Sequence, residues 1–438
     1  MLNKKHPLYI LAGEIDWSVF EGEFGALYSE QGRPGIRIRV MVGLHYLKHT
    51  FNESDESVVY RFVENPYWQY FCGFEEFQHE FPIDPSSMTR WRKRIGSKGM
   101  KKLLTETIET AKRRGDLTKK ECQRVNVDTT VQEKAVAHPT DSRLYQKARE
   151  KLVKMAVERD IPLRQSYVRL GARALQKHGR YAHARQFKRA RKLERKLRTY
   201  LGRVLRDIER KCPSPDEKLS DLLDVSWAIF EQKKKDKNKV YSVHALEVEC
   251  ISKGKAHKRY EFGNKTAVVS TSKNNWVLAA EALHGNPYDG HTLRSSLESA
   301  EHTTSVPVKQ TYVDRGYKGA AKDVPEVKVF MSGQRGLTRA QKKWLKRRQA
   351  VEPVIGHMKS DHRMGRNHLH GWEGDRINAT LAAAAFNFAK LFRAVALFVR
   401  ILVLKTIAGV LGQRWHRDFF INASDGRGMM TTWLSAHI

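Results

Sequence analysis

The run Leu345-Lys346-Arg347-Arg348-Gln349-Ala350-Val351-Glu352-Pro353-Val354-Ile355-Gly356-His357-Met358-Lys359 has helical periodicity. Val351, Ile355 and Met358 recur at steps of four and three, which lines them on one face. Arg348, Glu352 and Lys359 share another face, because steps of four and seven are about one and two turns. One carboxylate therefore stands in line with two cations. Pro353 suits a helix start better than a helix interior, so a start or kink is expected near Glu352. Taken alone, the arrangement describes an ion pair on a solvated face, worth about 0.3–0.5 kcal/mol.

Two acidic residues elsewhere change that reading. Gln310-Thr311-Tyr312-Val313-Asp314 is a β-rich run ending in a carboxylate, with Arg315-Gly316-Tyr317-Lys318-Gly319 as punctuation behind it. Arg124-Val125-Asn126-Val127-Asp128-Thr129-Thr130 alternates apolar and polar residues in the same way. Two strand aspartates and one helix glutamate suit Mg2+ or Mn2+, since hard cations take oxygen ligands. Ions held so can activate one oxygen and stabilise another at phosphorus.

Asp128, Asp314 and Glu352 resemble the DDE triad of bacterial insertion-sequence transposases. Asp314-Arg315-Gly316-Tyr317-Lys318-Gly319 is similar to the family's second-aspartate region. Arg348, Glu352 and Lys359 match the last three letters of the Y-R-E-K signature of the insertion-sequence-four/five-like group; Leu345 stands where that signature has tyrosine. The resemblance spans roughly residues 30 to 395. It implies an RNase H-like catalytic domain and a helical N-terminal domain that binds the element's terminal inverted repeats. It also implies Mg2+ (or Mn2+) on the three carboxylates, which serve as catalytic residues and metal ligands, and DNA contacts from Arg348 and Lys359.

Composition agrees with a polyanionic partner. The chain has 438 residues and a formal net charge of +32, an excess that points to nucleic acid. Hydrophobic residues make up 40% and charged residues 29%, which fits a globular class of two to three domains. Cys72, Cys122, Cys212 and Cys250 are isolated, with no Cys-x-x-Cys pair, so no zinc site or disulfide framework is signalled. The N-terminus lacks an apolar signal-peptide core. A cytoplasmic, nucleoid-associated bacterial protein is expected.

Residues 1–118 read as a helical DNA-binding domain. Asp55 or Ser57 can cap a helix through Val58, Val59 and Phe62, and Asp84-Pro85-Ser86-Ser87 opens a basic one carrying Arg90, Arg92, Lys93 and Arg94. Short helices ending in one so basic suggest a helix-turn-helix-like DNA reader. Residues 141–225 read as a basic helical insertion, densest between Arg185 and Arg198. Its cations fall on every side, which argues against a simple amphipathic core helix. Lys188, Arg189, Arg191 and Lys192 are candidates to track phosphates.

Residues 119–140 and 226–411 read as the α/β catalytic domain. One strand or a bent pair is expected over Val240 to Val248, and a hairpin around Ser272 to Asn275. A helix should follow Thr292, and a short last strand should cover Val327 to Met331. Asp289 rivals Asp314 as the second carboxylate, but its place between a turn and a helix favours a turn or capping role. Lys265 is a candidate phosphate contact. Glu373 and Asp375 rival Glu352 but lack cations in register. The apolar segment 376–411 is interrupted by Lys390, Arg393, Arg400 and Lys405, so a core helix is expected, with no membrane association. Residues 412–438 read as a loose tail.

The expected protein is an α/β DNA transposase working on double-stranded element ends and target DNA as a homodimer. The alternatives are a metal-dependent nuclease or resolvase of the same fold, and an inactive DNA-binding protein.

Overall fold

The computed structural model describes residues 2–28, 31, 35–233, 235–252 and 259–411, with residues 401–411 described as helix backbone alone. The tail 412–438 lies outside the described residues. The chain is a mixed α/β structure. Its N-terminal part holds α1 (Pro7–Glu14), α2 (Ser18–Phe24), α3 (Ile38–Thr50), α4 (Asp55–Glu64), α5 (Pro66–Phe71) and α6 (Ser86–Arg113). The cap of α4 is Ser54, one residue before the expected Asp55: it accepts from the Ser57 backbone while the Ser57 hydroxyl takes the Ser54 N–H. α6 extends the expected basic helix across Gly96, whose φ of 66° marks a kink that a side chain would strain.

After α7 (Lys119–Cys122) come β1 (Arg124–Glu133), the helices α8 (Asp141–Glu158), α9 (Val168–His183), α10 (Phe187–Lys211) and α11 (Glu217–Glu231), then β2 (Glu249–Ser252), β3 (Tyr260–Thr271) and β4 (Val277–Leu283). The chain ends in α12 (Leu293–Thr304), β5 (Gln310–Val313), β6 (Lys328–Met331), α13 (Arg339–Arg347), α14 (Val351–Ser360) and α15 (Gly371–Leu411). α8 to α11 build their own core, with Leu152, Leu197, Leu201, Leu205, Ile208 and Leu219 inside it. α11 carries that core past residue 225. α10 is amphipathic, contrary to the sequence expectation. Its dense cations mask a stripe through Ala190, Leu197, Leu201, Val204 and Ile208 that steps by three, four or seven and is buried.

The sheet runs β2-β3-β1-β5-β6, with β4 also pairing β3. β1 is antiparallel to β3, β3 is antiparallel to β4 across the expected hairpin, and β5 is parallel to both β1 and β6. The strand expected over 240–248 is absent; the chain there turns irregularly, and β2 begins at Glu249. Val243, Ala245 and Val248 are buried all the same, so their alternation reports packing without a ladder.

α15 crosses behind the sheet. Residues 371–400 are long and apolar enough to span a membrane by composition. Ala382, Ala383, Ala385, Asn387 and Phe388 are nevertheless at most 1% exposed, and the helix packs on α3, α6 and β4, as a core helix would. Asn387 brackets Val277, donating to its carbonyl and accepting from its N–H. A buried polar knot docks the helix start. Lys134, at the end of β1, lies 2.6 Å from both Glu247 and Asp375, and Asn367 donates to Asp375. Desolvation raises the Asp375 carboxyl, with Lys134 opposing it.

A second knot joins the N-terminal helices to the loop after α14. Asp55 accepts two bonds from Arg92, at 2.8 and 2.5 Å, and one from Lys48 at 2.7 Å. Arg363 and His362 reach back to the backbone of Asn52 and His49. Burial beside Arg92 holds His45 neutral, its pKa lowered to about 3. His49 is lowered as well, by burial and then Lys48. A histidine whose folded pKa is depressed leaves stability intact above its unfolded value of about 6.5, and stability falls below it as the unfolded chain takes up the proton. At pH 5 this amounts to about 2 kcal/mol for His45. We expect the melting temperature to drop between pH 7.5 and pH 5, and His45→Gln to flatten that slope by about half in scanning calorimetry.

Candidate active site

The parallel ladder between β1 and β5 sets Arg124 opposite Gln310, Val125 opposite Thr311 and Asn126 opposite Tyr312. Carried two residues further, the same register puts Asp128 beside Asp314, just where β5 ends. Neighbouring strands lie about 4.8 Å apart and residues in step share a face, so this register sets the two aspartates level with one another on one face, just past the end of the ladder. Asp314 turns the chain: its Oδ1 accepts from the Gly316 N–H at 2.8 Å.

Arg348 closes the site from the helical side. It occupies a short 3-10 turn, Arg348–Ala350, between α13 and α14. The helix thus kinks and restarts at Val351, next to the position that Pro353 suggests. Arg348 is 8% exposed and donates from Nη1 to Asp128 Oδ2 at 3.2 Å; its Nε is buried with no hydrogen-bond partner among the described residues. Val351, Ile355 and Met358 pack inward, as their spacing predicts, each gaining about 1.5–3 kcal/mol. Glu352 is exposed one turn beyond Arg348, and Lys359 and Leu345 are half-buried. Among the described residues no three carboxylate, histidine or cysteine side chains converge closely enough to ligate one metal ion as they stand.

A third aspartate lies at the same place. Asp289 Oδ1 accepts from the Thr129 hydroxyl and from Lys265 Nζ, both at 3.0 Å. Its other oxygen faces Asp314 across Gly316: a Cβ on Gly316 would come within 2.9 Å of Asp314 Oδ1 and 3.1 Å of Asp289 Oδ2. Beneath them Tyr317 is 2% exposed. Burial and the charges of Asp128, Asp289 and Asp314 hold its hydroxyl pKa well above the usual phenol value. Sequence reasoning gave Asp289 a turn role, and its carbonyl does accept from Thr292. The overlooked signal was Lys265, a cation in a strand that is otherwise buried on both sides and that requires a partner. Lys265 also donates to the Pro287 carbonyl at 2.6 Å, so it is spent within the protein.

The remaining predicted residues divide. Arg90, Lys93 and Arg94 are exposed on α6, and Lys188, Arg189, Arg191 and Lys192 are exposed on α10. Arg92 does not join them. It is 3% exposed and forked onto Asp55, so its contribution is to packing. Of the rivals to Glu352, Asp375 belongs to the buried Lys134 knot and Glu373 accepts from the Ser97 backbone.

Comparison with known proteins agrees with these elements. Residues 1–94 match a family described as Transposase domain (DUF772), and residues 323–392 match Transposase DDE domain. The chain is also 57% identical over 187 residues to the Uncharacterized protein ORF8 in nfe locus of Rhizobium meliloti, covering 43% of this chain and 90% of that relative. The chain belongs to the DDE transposase family. Glu352, Arg348 and Lys359 fall inside the DDE match; Asp128 and Asp314 fall outside both matched segments. No solved structure matches.

The donor set of this transposase suits a divalent cation. Asp128, Asp314 and Asp289 are hard oxygen donors, and the gap at Gly316 between Asp314 and Asp289 would be filled by any side chain. Gly316→Ala pushes a methyl group between two carboxylates. We expect it to lower metal-dependent DNA cleavage at least tenfold, on the order of the cost of a misplaced catalytic group, with the melting temperature nearly unchanged.

Proposed function

We propose that this transposase cuts the ends of its element and joins them to target DNA by phosphoryl transfer at Asp128, Asp314 and Glu352. The observation that carries this reading is the register that brings Asp128 and Asp314 together, with Arg348 of the DDE segment on Asp128. The order of the sheet supports an RNase H-like catalytic domain: three antiparallel strands, then two parallel ones on the other side of β1. Mg2+ or Mn2+ bound by the three carboxylates would activate the attacking oxygen and stabilise the leaving one. The protein contributes position. Arg348 orients Asp128 and keeps a buried cation beside the place where a phosphate must come. Lys359 and the exposed cations of α6 and α10 hold the DNA backbone, and a second copy binds the second end in a homodimer.

Cleavage of a labelled duplex carrying the element end tests the triad. Glu352→Gln and Asp314→Asn are each expected to abolish Mg2+-dependent cutting and joining while the protein still binds the duplex. Cutting without joined products in the wild type would make the protein a nuclease, and cutting that survives Asp314→Asn would refute the assignment.

The α10 cations have their own test. Each phosphate contact removed lowers the slope of log K against log[salt] by about 0.9 on duplex DNA. Replacing Lys188, Arg189, Arg191 and Lys192 together with alanine is expected to reduce that slope by about three to four. It should leave the fold intact, because all four side chains are exposed.

A further inference from the structure

We propose that Asp289 is an additional oxygen donor of the divalent-cation site, and that Lys265 is its resident counter-ion, displaced when the ion binds. The inference rests on the metal-dependent reading above and deepens it, because the triad does not include Asp289.

Three observations carry it. Asp289 reaches the site from outside the sheet: its Oδ1 is tied to Thr129, the residue after Asp128, and its Oδ2 faces Asp314 over the bare Cα of Gly316. Each of two carboxylates is engaged by a protein cation, Asp128 by Arg348 and Asp289 by Lys265, both cations at most 8% exposed. Lastly, the Tyr317 hydroxyl is buried between Asp128, Asp289 and Asp314, beside the Thr292 hydroxyl, and makes no well-formed hydrogen bond. A buried hydroxyl needs a partner. An oxygen bound to a cation at the centre of these carboxylates would supply one.

Carboxylates so close repel one another, and cations beside them relieve the repulsion. Arg348 cannot leave easily, since its side chain is buried. Lys265 is a flexible point charge whose second bond, to the Pro287 carbonyl, can hold it after Asp289 turns away. A small rotation of Asp289 about its own side-chain bonds then adds a third oxygen to Asp128 and Asp314, a site that the DNA and Glu352 complete.

A purely structural Asp289–Lys265 pair makes a different prediction. If the pair only braces the fold, removing either partner has the same effect. If Asp289 is a donor and Lys265 a competitor, the two removals act in opposite directions. The experiment is Mn2+ binding to the full-length protein, followed by titration calorimetry and electron paramagnetic resonance. Asp289→Asn is expected to weaken binding about tenfold or more, and Lys265→Met to tighten it severalfold. Asp289→Glu should bind within a few-fold of wild type, which separates a lost donor from a lost fold. Melting curves in EDTA check folding of each variant. Asp128→Asn reports on the underlying reading, because it should abolish binding. Loss in Asp128→Asn with wild-type affinity in Asp289→Asn would overturn this inference alone. Equal weakening in Asp289→Asn and Lys265→Met would also overturn it. Wild-type affinity in Asp128→Asn would overturn the metal reading itself.

Discussion

The parallel pairing of β1 with β5 is the constraint from which the site follows. Parallel strands keep their side chains in step, and the register that runs from Arg124 opposite Gln310 to Asn126 opposite Tyr312, carried on, brings Asp128 level with Asp314. Two carboxylates about 5 Å apart repel by about 3 kcal/mol at an effective dielectric of 20. The fold meets this locally. Arg348 lies on Asp128, the Gly316 N–H points at Asp314, and Lys265 with Thr129 engages Asp289. A packed sheet end built of valine would have needed none of these. Retaining carboxylates against their own repulsion is what a site for a cation requires, and neutral packing would not produce it.

The same site sits inside a chain with a formal net charge of +32. The two facts belong together. DNA is drawn to a positive surface over a range set by salt screening, but the reacting phosphate must finally approach an acidic centre. In the reading proposed above, the exposed cations on α6 and α10 would provide the first, and Arg348 beside the carboxylates the second. The insertion is suited to its part because it has its own core. α8 to α11 bury leucines among themselves, so α10 can present Lys188, Arg189, Arg191 and Lys192 without drawing on the packing of the sheet.

What the sequence made legible follows from how local each signal was. The buried face of α14 could be read because Val351, Ile355 and Met358 lie within two turns, and the kink because Pro353 marks it. The strand through Asp128 and the strand ending before Asp314 could be read one at a time, but their pairing could not, since a register between segments so far apart leaves no local trace. Asp289 was read only in part for the same reason: its turn role is local and present, while its partners Thr129 and Lys265 come from two distant strands. Arg92 was legible and missed. It falls four residues after Met88 and next to Trp91, both buried, which puts it on the inward face of α6 and calls for a buried acid, here Asp55. In α10, counting cations hid a stripe that counting apolar positions reveals.

The 3-10 turn at Arg348–Ala350 explains why one helix can serve both packing and chemistry. A continuous α-helix from Arg339 to Ser360 would keep Arg348 and Glu352 on one line, both inside or both out. Breaking it lets Arg348 turn under the helix to Asp128 while Val351 and Val354 re-anchor the next turn in the core and Glu352 stays at the surface. The Arg348 cation is thereby held on Asp128 inside the fold, and the Glu352 carboxylate is left on the solvent side. The buried arginine is costly to move and the exposed glutamate is not, so the two side chains of one helical line differ in how readily they can rearrange.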